Sequence, residues 1–492
     1  MQRSNTPTRF STTARMGLAT LAMTTLAGLA ACANFSGIEP SARPMDAATL
    51  GLKNLDASKD SDHVSTDSNW WQRFGDAQLN ALVDKALQDN PALKTALARQ
   101  ARTQAASQGV QSADGIQVQG QLDLTHQLFS ANSIYPPPYG GNVWDNGTLQ
   151  ASASWELDFF GKNRAALDAT LGQMRVAQAE TRAARGLLAA NVTRSYFQLL
   201  RLEAQLALAQ YTLAQRTHIQ QLVRERLDAG LDTQLELQQA SSALPDARYQ
   251  MEVLAEQKAL TLNTLAALTA QPVAALHLSI PALDQINGAS VADAMPLDLL
   301  GRRSDIAAAR WRVEAALQDV AAAKAQFYPN INLVAFAGLS SIGFDKLLNS
   351  KSEQWGIGPA LRLPIFDSGR LRANLRGKTA DLDAAIESYN AQLLDAVHEV
   401  ADRITSAKAV RRQQVEQSAA QSAAETAYSI ALQRYQAGLG NYLNVLSAEA
   451  PLLLQRRQSV ELAARALDTQ VQILHAVGGD IAAAATATTT AQ

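Results

Sequence analysis

The chain of 492 residues holds a single cysteine, Cys32. A disulfide framework is excluded, and a lone thiol in an oxidising compartment is a liability unless something consumes it. Aromatics are scarce at 5%, while alanine, glutamine and leucine fill long stretches. That composition suits long, closely packed helices better than a thick globular core. The six histidines, His63, His126, His218, His277, His398 and His475, are scattered and none is paired with cysteine. No metal-ligand spacing results. There is no Gly-rich phosphate loop, no Gly-x-Ser-x-Gly and no nucleotide-binding strand-turn-helix, so no enzyme is expected. Asp and Glu are plentiful, but on helices they read as solvated faces. Lys+Arg number 43 against 45 Asp+Glu, without a basic cluster. A nucleic-acid role is disfavoured. Beyond residue 32 no long apolar run occurs, so no helical membrane span is expected there.

What is present begins with a leader. Arg3, Arg9 and Arg15 precede a short run rich in small apolar residues, which ends in Leu29-Ala30-Ala31-Cys32. The run is too short for a comfortable membrane helix and has the make-up of a signal-peptide core. A cysteine directly after small residues can take a lipid on its thiol once the leader is cut. The alternative is an ordinary signal peptide with a chance cysteine. Removing the leader takes away three arginines and no acid, leaving 40 basic against 45 acidic residues.

Two periodicities then alternate, and their order occurs twice. A helical pattern from Trp70 to about Gln111 gives way to strict alternation, with Ile116, Val118, Leu122 and Leu124 on one face and Gln117, Gln119, Gln121 and Asp123 on the other. After the loop Tyr135-Pro-Pro-Pro-Tyr-Gly-Gly a second strand runs from Leu149 to Phe159. Trp155 and Leu157 share its apolar face, and Glu156 and Asp158 its polar face. A helix of about 70 residues follows, long enough to span roughly 100 Å. In it Leu188, Val192, Ser195, Leu199, Leu202, Leu206, Ala209 and Leu213 form a heptad seam. Another helix returns to about Thr269, with an interruption expected at Pro245. The second round has a helix from Ser304 to Gln326, a strand from about Ile331 to Ser340, a polar loop and a strand from Trp355 to Ile365. Arg362 falls on the polar face of that last strand. Val334 and Phe336 sit where polar residues are expected. A long helical hairpin closes the round.

Phe160 answers to Phe366, and Arg226-Leu-Asp-Ala-Gly-Leu231 to Arg434-Tyr-Gln-Ala-Gly-Leu439. The nearly constant offset marks a duplication. The expected organisation is a leader at 1–31, a lipidated extension at 32–69, a first repeat at 70–270, a connector at 271–296, a second repeat at 297–478 and a disordered Ala/Thr-rich tail at 479–492.

The strands have about the 9–11 residues that a tilted strand needs to cross a bilayer. Apolar and polar faces then separate lipid from water, which makes Asp123, Glu156, Asp158 and Arg362 candidates for a barrel lumen. A soluble, half-buried sheet gives the same alternation and stays open on this ground alone. Four strands cannot close a barrel, and an open edge is not tolerated in lipid. Small barrels have at least about eight strands, so copies must share one.

Trp70-Trp71-Gln-Arg-Phe74-Gly-Asp-Ala-Gln-Leu79, Leu299-Leu300-Gly-Arg-Arg-Ser-Asp-Ile306, Phe327-Tyr-Pro-Asn330, Pro364-Ile-Phe-Asp367 and Arg434-Tyr-Gln-Ala-Gly438 resemble the outer-membrane efflux proteins of the TolC/OprM type, in the NodT-like lipoprotein branch. The resemblance covers about residues 65 to 480. It implies a mainly α fold with a β-barrel part: a homotrimer with one twelve-stranded barrel and a periplasmic helical tunnel. It further implies docking on a periplasmic membrane fusion protein and an inner-membrane pump. With Ala33 after the cysteine, it implies sorting to the outer membrane and no cofactor beyond a covalent lipid on Cys32. Ser304 replaces the usual Pro of the Arg-Arg-Pro-Asp motif, and Asp480 a frequent Trp. Where relatives often carry aspartates at the tunnel mouth, this chain has Asn444 and Ser447; the first repeat offers Asp232 and Glu236. Arg226, Gly230, Leu231, Arg434, Gly438 and Leu439 are the candidate partner-facing tips. The expected function is a passive exit duct for small molecules such as drugs. The competing readings are a lipid-anchored coiled-coil adaptor without a pore and a cell-wall enzyme on a stalk.

Overall fold

The computed structural model describes residues 35–45, 69–132, 134–286, 288 and 303–478. The leader, Cys32, most of the extension, part of the connector, the Leu299–Arg302 part of one motif and the tail from 479 lie outside the described residues.

The helix expected from Trp70 to Gln111 is three pieces. A 3-10 turn, Trp70–Phe74, ends at Gly75, whose φ of 68° stops it. Helix α1, Ala77–Asp89, starts because the Asp76 carboxylate accepts the amides of Gln78 and Leu79. Asn90 then turns extended, and its side chain accepts from Ala92 N at 2.9 Å to start α2, Pro91–Ala113. Proline suits this first helical position because its missing N–H needs no partner there.

Strands β1, Gln117–Leu128, and β2, Val143–Leu157, are followed by helix α3, Lys162–Asp228, and helix α4, Gln234–Leu268. The second round repeats the order as α5, Ser304–Ala325, β3, Asn330–Ile342, β4, Glu353–Arg362, α6, Arg370–Gln436, and α7, Tyr442–Ala476. Pro245 does not interrupt α4, and Pro451 lies equally inside α7. A proline costs a helix one N–H bond; packing of the buried Ala240, Leu244 and Ala247 around it keeps the helix whole.

The chain divides into two compact units, each of which draws on both repeats. Each repeat gives its β-hairpin to one unit and most of its long helical hairpin to the other, so the units cut across the duplication.

The first unit carries the sheet, in the order β1-β2-β3-β4, antiparallel throughout. Below the sheet, α5 and α6 bury Val320, Ala323, Leu375, Leu382 and Ile386 together with Ile38 of the N-terminal segment. That segment is pinned where the Asp383 carboxylate accepts the amides of Ser41 (2.9 Å) and Ala42 (3.0 Å).

The second unit is a layer of long helices. The expected seam is real: Leu188, Val192, Leu199 and Leu202 are buried. Arg201 of α3 grips Glu461 of α7 through both carboxylate oxygens, at 2.7 and 2.8 Å. Lys258 of α4 pairs with Glu203 of α3 at 2.6 Å. Around α1, Trp71, Phe74 and Phe197 are buried, and the Tyr196 hydroxyl donates to Asp76 at 2.6 Å.

At the end of α7, Arg303 donates to the Ala476 carbonyl (3.1 Å) and to Glu399 (2.8 Å) and pairs with Asp305 (2.8 Å). Burial, and then the Arg303 charge, hold His475 below its ordinary value; Glu399 and Asp305 oppose this, and Arg194 adds to it. An unfolded chain takes up a proton at this histidine below about pH 6.5, and the folded site resists it. Stability is therefore expected to fall as pH drops below that value. In His475→Gln the melting temperature should lose part of its decline between about pH 6.5 and 5; parallel curves for the two proteins would count against this.

Candidate functional site

The sheet has two unlike faces and two unpaired edges, β1 and β4. The register stacks Val118, Ala153, Ala335 and Ile357 in one row, and Gly120, Ala151, Ala337 and Trp355 in the next. This apolar face is bare: Trp355 is 77% exposed. The opposite face carries the row Gln121, Gln150, Gly338 and Gln354. There Gln354 donates to Gln150 at 3.2 Å across Gly338, whose place a larger residue could not take without meeting the Leu149 carbonyl. Phe336 lies on this polar face because its neighbour is Gly356; the ring fills the space that the glycine leaves. Val334 sits likewise beside Gly358.

Of the expected lumen residues, Asp123 stands within a strand, opposite Thr148. The others gather where strands turn into helices. Glu156 pairs with Lys162. Asp158 lies just past the end of β2, and its carboxylate accepts Arg164 N at 2.8 Å, capping α3. Arg362 is the last residue of β4, opposite Asn330. Leu157 also ends its strand, so the contrast between the faces is best tested further in. Leu149→Arg, on the apolar face, is expected to cost roughly 2–4 kcal/mol near the bilayer midplane and to prevent assembly, while Gln150→Arg should be tolerated. The readout is the yield of heat-resistant oligomer from outer-membrane extracts; equal loss in both variants would point to a soluble sheet.

The second part of the site is the pair of turns between α3 and α4 and between α6 and α7. Each helix ends in the same way. Gly230 (φ 71°) and Gly438 (φ 75°) are left-handed, and the amides of Leu231 and Leu439 reach back to the carbonyls of Arg226 and Arg434, both at 2.8 Å. The leucines beyond project outward: Leu231 is 65% and Leu439 70% exposed, and Leu235 and Leu443 one helical turn later are exposed as well. Sequence reading missed the second pair, although it repeats at the same offset of 208 as the first.

The expected mouth residues separate. Asp232 does not line an opening: its side chain is only 7% exposed. It accepts from Arg226 Nε at 3.1 Å and from the Tyr435 hydroxyl. Arg226 also donates to the Tyr435 carbonyl at 3.2 Å, and its guanidinium lies 4.5 Å from the Tyr435 ring centre. Burial, then the Asp232 carboxylate, push the Tyr435 hydroxyl well above the usual tyrosine range. Arg226, Asp232 and Tyr435 thus lock the first helical hairpin to the second. The reason lies in residues 209 apart, beyond the reach of local pattern. Among the described residues Arg434, the counterpart of Arg226, makes no such lock; it reaches the Leu439 carbonyl, at 3.5 Å.

Glu236 is half-buried and serves as a cap. It accepts the Thr233 amide at 2.8 Å, and the Thr233 hydroxyl holds its carboxyl below the usual range. Asn441 plays the capping part in the second turn, accepting Asn444 N at 3.1 Å. Asn444 and Ser447 are exposed, with the Ser447 hydroxyl on the Leu443 carbonyl at 2.8 Å. Behind the lock, Tyr428, Tyr442, Val445 and Leu452 form a buried cluster. Beside it Arg216 meets the buried Glu449 at 3.4 Å. Burial, then Glu449, push Tyr428 and Tyr442 up to about 12.

A sheet with one face for lipid and one for water, duplicated together with long helical hairpins, defines a channel protein. The chain belongs to the outer membrane efflux protein family, which it matches over residues 82–271 and 295–479. The multidrug resistance outer membrane protein MdtQ of Escherichia coli is 32% identical over 421 residues, 84% of this chain and 88% of MdtQ. The fusaric acid resistance protein FusA of Burkholderia cepacia is 36% identical over 376 residues, 75% of this chain and 70% of FusA. Among solved structures, the outer membrane protein VceC of Vibrio cholerae shares 36% identity with a TM-score of 0.79, over 84% of this chain and 98% of VceC. The protein is an outer-membrane exit channel of the efflux type, and the reading as an adaptor without a pore finds no support. Family and fold are those of transport channels.

Proposed function

We propose that three copies of the chain close one barrel of twelve strands, anchored by a lipid on Cys32, and carry small organic molecules from an inner-membrane pump to the exterior. The observation that carries this is the four-stranded sheet, bare on its apolar face and unpaired along β1 and β4. Lipid covers such a face, and only another copy supplies the missing partners for the edges. The relatives' names, multidrug and fusaric acid resistance, favour small organic cargo. Energy comes from the pump, and a periplasmic membrane fusion protein joins the two. Its helical hairpin meets Leu231, Leu235, Leu439 and Leu443; their exposure in the same pattern on both tips favours a contact surface over a simple helix cap. The lock between Arg226, Asp232 and Tyr435 holds the hairpins together until that contact is made.

The test of the shared barrel is a set of cysteine pairs, Gln121→Cys on β1 combined in turn with each position of β4 from Glu353 to Arg362, because barrel closure staggers the register between copies. Oxidation is expected to link copies into trimers; links confined within single chains would refute the arrangement. For the anchor, Cys32→Ser is expected to abolish palmitate labelling and to leave the precursor largely uncleaved. A mature N-terminus at another, unmodified residue would refute it by mass spectrometry. Because one acyl chain holds a protein only marginally, the barrel supplies most of the membrane retention.

A further inference from the structure

The two loops at the strand ends remote from the helices fold onto opposite faces of the sheet. In the β3–β4 loop, Leu347 is buried and lies over Gly147 and Leu124, on the apolar face. The β1–β2 loop turns the other way. Trp144 pairs with Gln127, and the alternation of β2 puts both on the face of Gln121, Asp123, Thr148 and Gln150. Tyr139 from the loop lies against Trp144, ring centres 5.5 Å apart.

The loop has a built structure. Phe129 N donates to the Asn142 carbonyl (3.0 Å), Gly141 N to the Phe129 carbonyl (2.8 Å) and the Asn142 side chain, through Nδ2, to the Pro138 carbonyl (2.9 Å). Phe129 and Tyr135 meet edge to face at 5.0 Å. Aromatic girdles of membrane barrels face the lipid interface; Trp144 and Tyr139 stand on the lumen face, so a girdle does not account for them. Further in on that face, four rungs from Trp144 or about 13 Å away, stands the exposed carboxylate of Asp123, which accepts a hydrogen bond from Gln121 at 2.6 Å.

We propose that the β1–β2 loop forms an aromatic collar at the outer mouth of the lumen, where Trp144 and Tyr139 hold flat aromatic cations on their way out. The faces of both rings attract a cation and stack on a flat solute. Asp123 is the matching charge on the approach, repeated in every copy around the lumen. The collar rests on the shared barrel proposed above. Failure of that barrel would appear as loss of the heat-resistant oligomer, whereas failure of the collar leaves the oligomer intact.

The test is saturation-transfer NMR on the full-length protein in detergent, with N-methylquinolinium as probe and tetramethylammonium as the comparison of equal charge. The quinolinium protons are expected to receive saturation and those of tetramethylammonium far less. In Trp144→Ala the apparent dissociation constant should rise about three- to tenfold, and Trp144→Phe should recover most of the loss. Trp355→Phe, on the lipid face, should bind as the unaltered protein does. Unchanged binding in an assembled Trp144→Ala, or equal saturation of both probes, overturns the collar. If Trp144→Ala does not assemble, Tyr139→Ala carries the same expectation, and unchanged binding there is equally decisive.

Discussion

Gly438→Asp is expected to leave the trimer intact and to abolish export. The backbone at this position is left-handed, with φ 75°. Aspartate is one of the few residues other than glycine that adopts such a conformation, at a cost of about 1–2 kcal/mol. A side chain added there meets nothing within 4 Å, so the turn has room for it. What changes is the surface: a carboxylate appears beside the exposed Leu439 and Leu443, where an apolar contact with a partner hairpin would have to desolvate it. Gly438→Asn repeats the backbone strain without the charge and should keep most of the export. The measurements are the oligomer on a semi-denaturing gel and the minimal inhibitory concentration of an exported drug in cells that depend on this channel. Normal export by the aspartate variant would remove the tip from the docking surface. Loss of the trimer in both variants would assign the glycine to folding.

Tyr435→Phe is expected to loosen the inner end of the tunnel. The substitution removes one hydroxyl and leaves the ring under Arg226. Asp232 keeps Arg226 but loses the hydrogen bond from Tyr435, at a cost of roughly 1.5–3 kcal/mol for a bond to a charged group. Because this bond joins residues of different hairpins, its loss weakens a tie between them more than the stability of either. In planar bilayers the single-channel conductance is expected to rise several-fold, and cells should become more permeable to a bulky antibiotic that the closed channel excludes. Asp232→Asn should act in the same direction, since it weakens both ties at once. Conductance equal to that of the unaltered protein, with the trimer intact, would show that the Arg226–Asp232–Tyr435 group serves stability alone.

Much of this molecule can be read from its one-dimensional pattern, because the pattern follows local geometry. Alternation over Gln117–Leu124 and Leu149–Leu157 must put unlike residues on opposite faces of any extended chain. The heptad from Leu188 to Leu213 must make a seam on any helix. The paired motifs ending in Gly-Leu must turn alike, since the same residues face the same loss of helical hydrogen bonds. The first six residues of β2, Val143 to Thr148, were missed because Gly147 breaks their alternation; only the partners Asp123 to Leu128 on β1 show them to be strand.

The tip positions of Leu231, Leu439 and the two glycines were thus determined by the sequence alone, as were the sheet's faces and the duplication. The tertiary structure decided the rest. It drew Asp232 into a lock with Arg226 and Tyr435, and it placed Glu156 and Asp158 at a strand–helix junction, on Lys162 and on the Arg164 amide. It kept α4 whole through Pro245 and put Trp144 on the polar face of the sheet, beside Gln127. Each of these depends on a neighbour far away in the chain or on the rung where a strand happens to end. A carboxylate spends its charge on the nearest donor that folding delivers, and periodicity says which way a side chain points but not what will be waiting there.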